Sequence, residues 1–153
     1  IAVSQSASTL ARFATDVVQY MSQNYGFITL PDEFTTGSSI MPHKKNPDVF
    51  EVLRARCNRL QALPTEITLV LNNLPSGYHR DVQFVKDRII PSIDEFDLCL
   101  TVARTVIPQL LPVSDIMMHE MYRYALSVDH VKHIIKKGMP FSDAYKQVAT
   151  EKE

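Results

Sequence analysis

Three apolar rows repeat at the α-helical period, and they leave little room for any fold but a packing of long helices. The first row is Val3, Ala7, Leu10, Ala14, Val17 and Met21, in alternating steps of four and three. That spacing puts every member on one stripe, and the two alanines let a partner helix come close. The second row is Val49, Leu53, Cys57, Leu60, Leu63, Ile67 and Leu71. The third is Val82, Val85, Ile89, Ile93, Phe96, Leu100, Ala103 and Ile107. Pro64 and Pro91 fall inside the second and third rows and predict a kink or a restart there. Asn24-Tyr25-Gly26 stops the first segment, which is read as a helix over residues 2–25. Asn72-Asn73 with Pro75 and Gly77 stops the second, and Pro108 and Pro112 close the third.

The last third reads as short helices. One is expected over 114–124 with Ser114 as its N-cap, one over 129–137 ending at Gly138, and one over 144–148 capped by Ser142. With only four glycines in 153 residues, a turn-rich β fold is disfavoured. The expected fold is all-α: part of a long-helix bundle over 1–110, with a catalytic loop at 32–47, and a small, incomplete C-terminal helical domain over 111–153. Sixteen Lys+Arg against seventeen Asp+Glu give a net charge of −1, so no basic field attracts nucleic acid or a membrane surface. No apolar run is long enough to span a bilayer, and the first residues show no signal-peptide pattern, so a reducing cytoplasmic setting is expected. Cys57 and Cys99 sit in apolar rows and read as buried thiols. His130 and His133 read as a solvated face, and His119 with Met117, Met118 and Met121 as packing. No metal site and no cofactor are expected.

Between the first two helices the periodicity vanishes. Residues 28–47 read as a long loop, and a loop of that length in a compact domain is often functional. Within it stand Thr35-Thr36-Gly37-Ser38-Ser39-Ile40-Met41-Pro42-His43-Lys44-Lys45-Asn46-Pro47. Hydroxyls beside a glycine, then an imidazole, two ammonium groups and an amide, suit the binding of a carboxylate. The cations can also lower the pKa of a neighbouring base or nucleophile. A merely solvated, charged loop has the same composition.

The order of residues goes further than the composition. Gly-Ser-Ser-Ile-Met-Pro-x-Lys-x-Asn-Pro, residues 37–47, resembles the signature of the fumarase/aspartase superfamily, whose members eliminate a group β to a carboxylate and release fumarate. The resemblance implies that Ser38 is the general base and that Lys44 stabilises the carbanion. It further implies that Asn46 binds a substrate carboxylate, with Ser39 adding a hydrogen bond. Such a mechanism needs positive charge and N–H donors where charge develops.

A second motif, Leu74-Pro75-Ser76-Gly77-Tyr78-His79-Arg80-Asp81-Val82-Gln83-Phe84-Val85-Lys86, is similar to a pattern of argininosuccinate lyases. By that likeness Tyr78, Gln83 and Lys86 contact the substrate. Gln83 and Lys86 are three apart and share a helix face. Flanking stretches 6–10, 27–32 and 136–145 carry weaker likeness to the same family. His43 stands where many argininosuccinate lyases have glutamine, and a histidine there resembles adenylosuccinate lyases. The resemblance thus implies argininosuccinate cleavage to arginine and fumarate, in arginine biosynthesis. The alternatives are adenylosuccinate lyase, another fumarate-releasing member, or a crystallin-like structural homologue. The implied partners are the small-molecule substrate and further copies of the chain, as a homotetramer whose sites draw residues from three subunits. The family's upstream histidine region has no counterpart here. The chain is therefore expected to be the C-terminal part of a longer lyase, inactive by itself.

Overall fold

The computed structural model describes residues 1–41, 43–122 and 124–150; Pro42 of the loop motif lies outside them. The described chain forms two compact units, Ile1–Val113 and Ser114–Glu153.

The first unit is built on four helices: α1 (Ala2–Tyr20), α2 (Asp48–Leu60), α3 (Leu63–Val70) and α4 (Gln83–Val106). α1 and α2 form the densest contact. Ala7 and Ala14 are completely buried, Ala11 and Val17 nearly so. With no side chain beyond Cβ, the three alanines let the α2 row of Phe50, Leu53, Cys57 and Leu60 lie directly on the α1 backbone. Phe50 is fully buried and meets Phe13 edge to face at 6.4 Å between ring centroids. At the other end of the pair, the Ser4 hydroxyl donates to the Gln61 carbonyl at 3.3 Å. The two helices therefore run antiparallel.

Pro64 divides the second apolar row rather than bending it. α2 ends at Leu60, and Pro64 falls in the first turn of α3, where its missing N–H costs nothing. Pro91, by contrast, is absorbed inside a continuous α4. α4 runs back along α2 and α3: Arg56 and Arg59 reach Glu95, and Arg88 reaches Glu66 at 2.5 Å. Its buried residues are Ser92, Cys99, Ala103 and Val106, with Phe96 packed against the core. The row predicted to face the core is thus partly turned outward. Ile93, Leu100 and Ile107 are substantially exposed, because α2 takes the adjacent stripe of α4.

α1 stops at Tyr20, five residues short of the expected end. The chain then turns through Gly26, whose φ of +58° is easy only for glycine. The aperiodic stretch is less irregular than expected. β1 (Ile28–Thr29) pairs antiparallel with β2 (Leu111–Pro112), with Ile28 opposite Pro112 and Thr29 opposite Leu111. A short 3-10 turn follows at Asp32–Phe34.

The second unit contains α5 (Ser127–Lys136) and α6 (Phe141–Thr150). Gly138, at φ +99°, ends α5 as its sequence position suggests. The expected 114–124 helix is replaced by two 3-10 turns, Ile116–Met118 and Glu120–Tyr122, and Ser114 caps nothing. Ser142 is likewise a residue of α6 and not its cap. Met118 and Met121 are exposed, which corrects their reading as packing. His130 and His133 are exposed on α5, and Cys57 and Cys99 are buried, as expected.

Candidate active-site loop and substrate cluster

Thr36 and Asn46 pair across the base of the loop, with the Thr36 amide donating to the Asn46 carbonyl at 3.1 Å and the reverse bond at 2.9 Å. The Asn46 side chain adds a third tie, its Nδ2 donating to the Gly37 carbonyl at 3.3 Å. Pro47 then begins α2, accepting from the Phe50 amide at 2.9 Å. The loop therefore leaves the core through a fixed neck, one turn before a fully buried phenylalanine.

Inside this neck Ser38 folds back on its own chain. Its hydroxyl oxygen accepts from the amides of Ile40 and Met41, each at 3.3 Å. Two N–H donors on one oxygen favour its ionised form. Ser38 is half-buried and Ser39 exposed. The two lysines separate by role. Lys45 forms an ion pair with Asp32 at the start of the loop. Lys44 makes no ion pair or side-chain hydrogen bond among the described residues. Ile40 is 87% exposed, an unusual position for a large apolar side chain beside candidate catalytic groups. Between the loop and the end of α1 lies a cleft of about 900 Å³, lined by Met21, Gln23, Met41, His43, Lys44 and Asn46 among others.

The second motif also converges. Lys86 Nζ donates to Gln83 Oε1 at 2.9 Å, and Gln83 Nε2 donates to the Tyr78 hydroxyl at 2.6 Å. The 3-10 turn at Arg80–Val82 brings the phenol onto the first turn of α4, where Gln83 and Lys86 stand one turn apart. All three side chains are exposed and joined in one relay, ready to exchange partners with a polar ligand.

The two groups are not brought to each other. Residues at the start of α2, next to the loop, lie against Leu98, Cys99 and Val102 near the end of α4, whereas Tyr78, Gln83 and Lys86 stand at its beginning. At about 1.5 Å per residue, the roughly twelve to nineteen residues of α4 between them put on the order of 20–30 Å between the two groups. Sequence reasoning missed Asp32 and Thr36, which hold the loop. Neither had a local signal, since their partners lie a whole loop away along the chain.

A family model described as "Lyase" matches residues 1–62. The crystal structure of EDDS lyase in complex with formate superposes with a TM-score of 0.74 at 24% identity, over 96% of this chain and 29% of that one. In sequence the chain is similar to argininosuccinate lyases nearly throughout. It is 48% identical to that of Phocaeicola vulgatus over 99% of its length, and 50% identical to that of Parabacteroides distasonis over 96%. The Thermotoga neapolitana protein is 36% identical over 96%. The chain spans about a third of the length of these relatives: 34%, 33% and 37% in turn.

Proposed function

We propose that this chain is the catalytic-loop portion of a cytoplasmic argininosuccinate lyase, which cleaves argininosuccinate to arginine and fumarate. The observation that carries the reading is the Ser38 hydroxyl held by two backbone amides, in a pinned loop whose Lys44 makes no ion pair among the described residues. The proton to be removed lies on a carbon next to a carboxylate and is weakly acidic. Ser38, as an alkoxide held by the Ile40 and Met41 amides, takes that proton. The electron pair delocalises into the carboxylate, and Lys44 meets the charge that develops there. It then forms the carbon–carbon double bond as the carbon–nitrogen bond breaks. Ser39 and the second N–H of Asn46 remain available to the substrate carboxylates. Tyr78, Gln83 and Lys86 bind the polar, multiply charged remainder of a substrate.

Because loop and cluster stand on the order of 20–30 Å apart on one hairpin, one substrate molecule meets both only if they come from different copies. The exposed Ile93 and Leu100 of α4, with Ile107 just past its end, supply an apolar face for such an assembly, a homotetramer by likeness to the family. The test uses a protein with the full length of the relatives. Ser38→Ala and Lys86→Ala proteins, neither turning over measurably at a substrate concentration far below the raised KM of Lys86→Ala, are mixed under conditions that exchange subunits and assayed at that concentration. Fumarate release must reappear in the mixture. Continued inactivity after proven exchange refutes the shared site, and release of fumarate from adenylosuccinate instead refutes the substrate.

A further inference from the structure

The elimination chemistry leaves one titratable side chain of the loop without a role. His43 lines the same cleft of about 900 Å³ as Lys44 and Asn46, between the loop and the end of α1. The Lys44 amide donates to the Met41 carbonyl at 3.1 Å, and this tight turn holds the His43 backbone. His43 is exposed, and its ring makes no ion pair or side-chain hydrogen bond among the described residues. A held backbone and an unengaged imidazole, in a cleft that already offers an ammonium and an amide, suit an incoming anion.

The charges around His43 show what such an anion meets. Lys44 and Lys45 line the cleft from the loop, and Glu51 lines it from α2. The α1 side contributes only uncharged side chains, Met21 and Gln23 among them. Asp32, at the start of the loop, pairs with Lys45. Two ammonium groups and two carboxylates cancel. A dicarboxylate entering the cleft therefore brings two negative charges to a site with no net positive charge. A protonated imidazole supplies one, and because an imidazole ordinarily titrates near about pH 6.5, the proton is within reach at neutral pH.

We infer that His43 is a substrate-binding residue of this cleft, which takes up a proton from solvent as a dicarboxylate binds and holds one carboxylate as an imidazolium beside Lys44 and Asn46. The inference rests on the lyase reading for the identity of the anion, and it adds a dependence of affinity on pH. At a pH below the imidazole range, His43 already carries its charge and the dicarboxylate binds most tightly. As the pH rises through that range, binding has to draw the proton from solvent, and affinity falls. Above it the ring stays neutral in the complex and its charge contributes nothing.

The test uses a protein with the full length of the relatives and fumarate as the probe, so that binding is read without turnover. Titration calorimetry in two buffers of different ionisation enthalpy measures the protons taken up on binding. The expected result is uptake of a fraction of a proton near neutral pH. The Kd should weaken roughly three- to five-fold from about pH 6 to about pH 8, the effect of one exposed charge pair. His43→Gln keeps a hydrogen-bonding amide of similar reach but cannot take a proton. It should bind fumarate at the weaker, high-pH affinity throughout, without proton uptake. Three results overturn the inference: a Kd independent of pH with no proton uptake in the unsubstituted protein, proton uptake that persists in His43→Gln, or no binding of fumarate. The lyase reading fails on a different observation, the absence of fumarate release from argininosuccinate, which leaves the calorimetric result intact.

Discussion

Replacing Phe50 by alanine tests both the core and the loop it anchors. Phe50 has no exposed surface, sits edge to face with Phe13, and lies in the first turn of α2, its amide bonded to Pro47. Truncating a buried phenylalanine costs about 3–5 kcal/mol, the sum of lost transfer energy and an unfilled cavity. The α1–α2 contact is too tightly interlocked by alanines to collapse onto that cavity, which argues for the upper half of the range. With a shift of about 4 °C per kcal/mol in a domain of about 100 residues, the midpoint should fall by roughly 16–20 °C. Phe50→Leu keeps most of the volume and should lose less than about 1.5 kcal/mol. Val52→Ala, half-exposed two residues further on, should change stability by no more than about 0.5 kcal/mol. Urea unfolding of the three variants, followed by far-UV circular dichroism, gives the numbers. A loss below about 1 kcal/mol for Phe50→Ala, or one equal to that of Val52→Ala, would refute the sealed α1–α2 core.

Three further outcomes follow from the site. In a protein of the relatives' full length, Ser38→Ala and Lys44→Met should each cut turnover at least about a hundred-fold, with unfolding midpoints unchanged; near-normal kcat in either removes that residue from the chemistry. Tyr78→Phe, Gln83→Ala and Lys86→Ala should act mainly on KM, since their relay is built for binding, and a pure kcat effect in steady-state kinetics would contradict that role. Asp32→Asn should cost less than about 1 kcal/mol, because both partners of the Lys45 pair are largely exposed. It should also make the loop more sensitive to limited proteolysis, and unchanged cleavage rates would show that the pair does not hold the loop.

How much of this was legible in the sequence depends on the range of the interaction that decides it. The α1 stripe was read almost residue by residue, because Ala7, Ala14 and Val17 face one neighbour and helical period alone picks them out. α4 was misread by one stripe. It is apolar on more than one side, so periodicity could not tell the face taken by α2 from the face carrying Ile93 and Leu100. The β1–β2 ladder and the Thr36–Asn46 neck join residues far apart in sequence through backbone groups, which leave no mark on side-chain pattern. The turns at Ile116–Met118 and Glu120–Tyr122 carry apolar residues at helical spacing, which predicts a helix, although Met118 and Met121 face solvent. Of the site, the hydrogen-bonded relay of Tyr78, Gln83 and Lys86 matched a motif whose members are near one another in the chain. Its separation from the Ser38 loop emerged only with the course of α4.

The proline inside α4 divides that helix into two unequal parts. Pro91 brings no N–H to the carbonyl of Asp87, and no residue of α4 before Ser92 is buried. The core therefore secures the second part, while the first part, which carries Gln83 and Lys86, rests on α3 with Val85 and Ile89 only half-buried and is tied there by the Arg88–Glu66 pair. Native-state hydrogen exchange should show this as a gradient, with amides before Pro91 opening locally and those after Ser92 exchanging only through larger unfolding. A substrate or neighbouring copy that covers the first part would then contribute ordering as well as contact, and part of its binding energy would be spent in stiffening that stretch of helix.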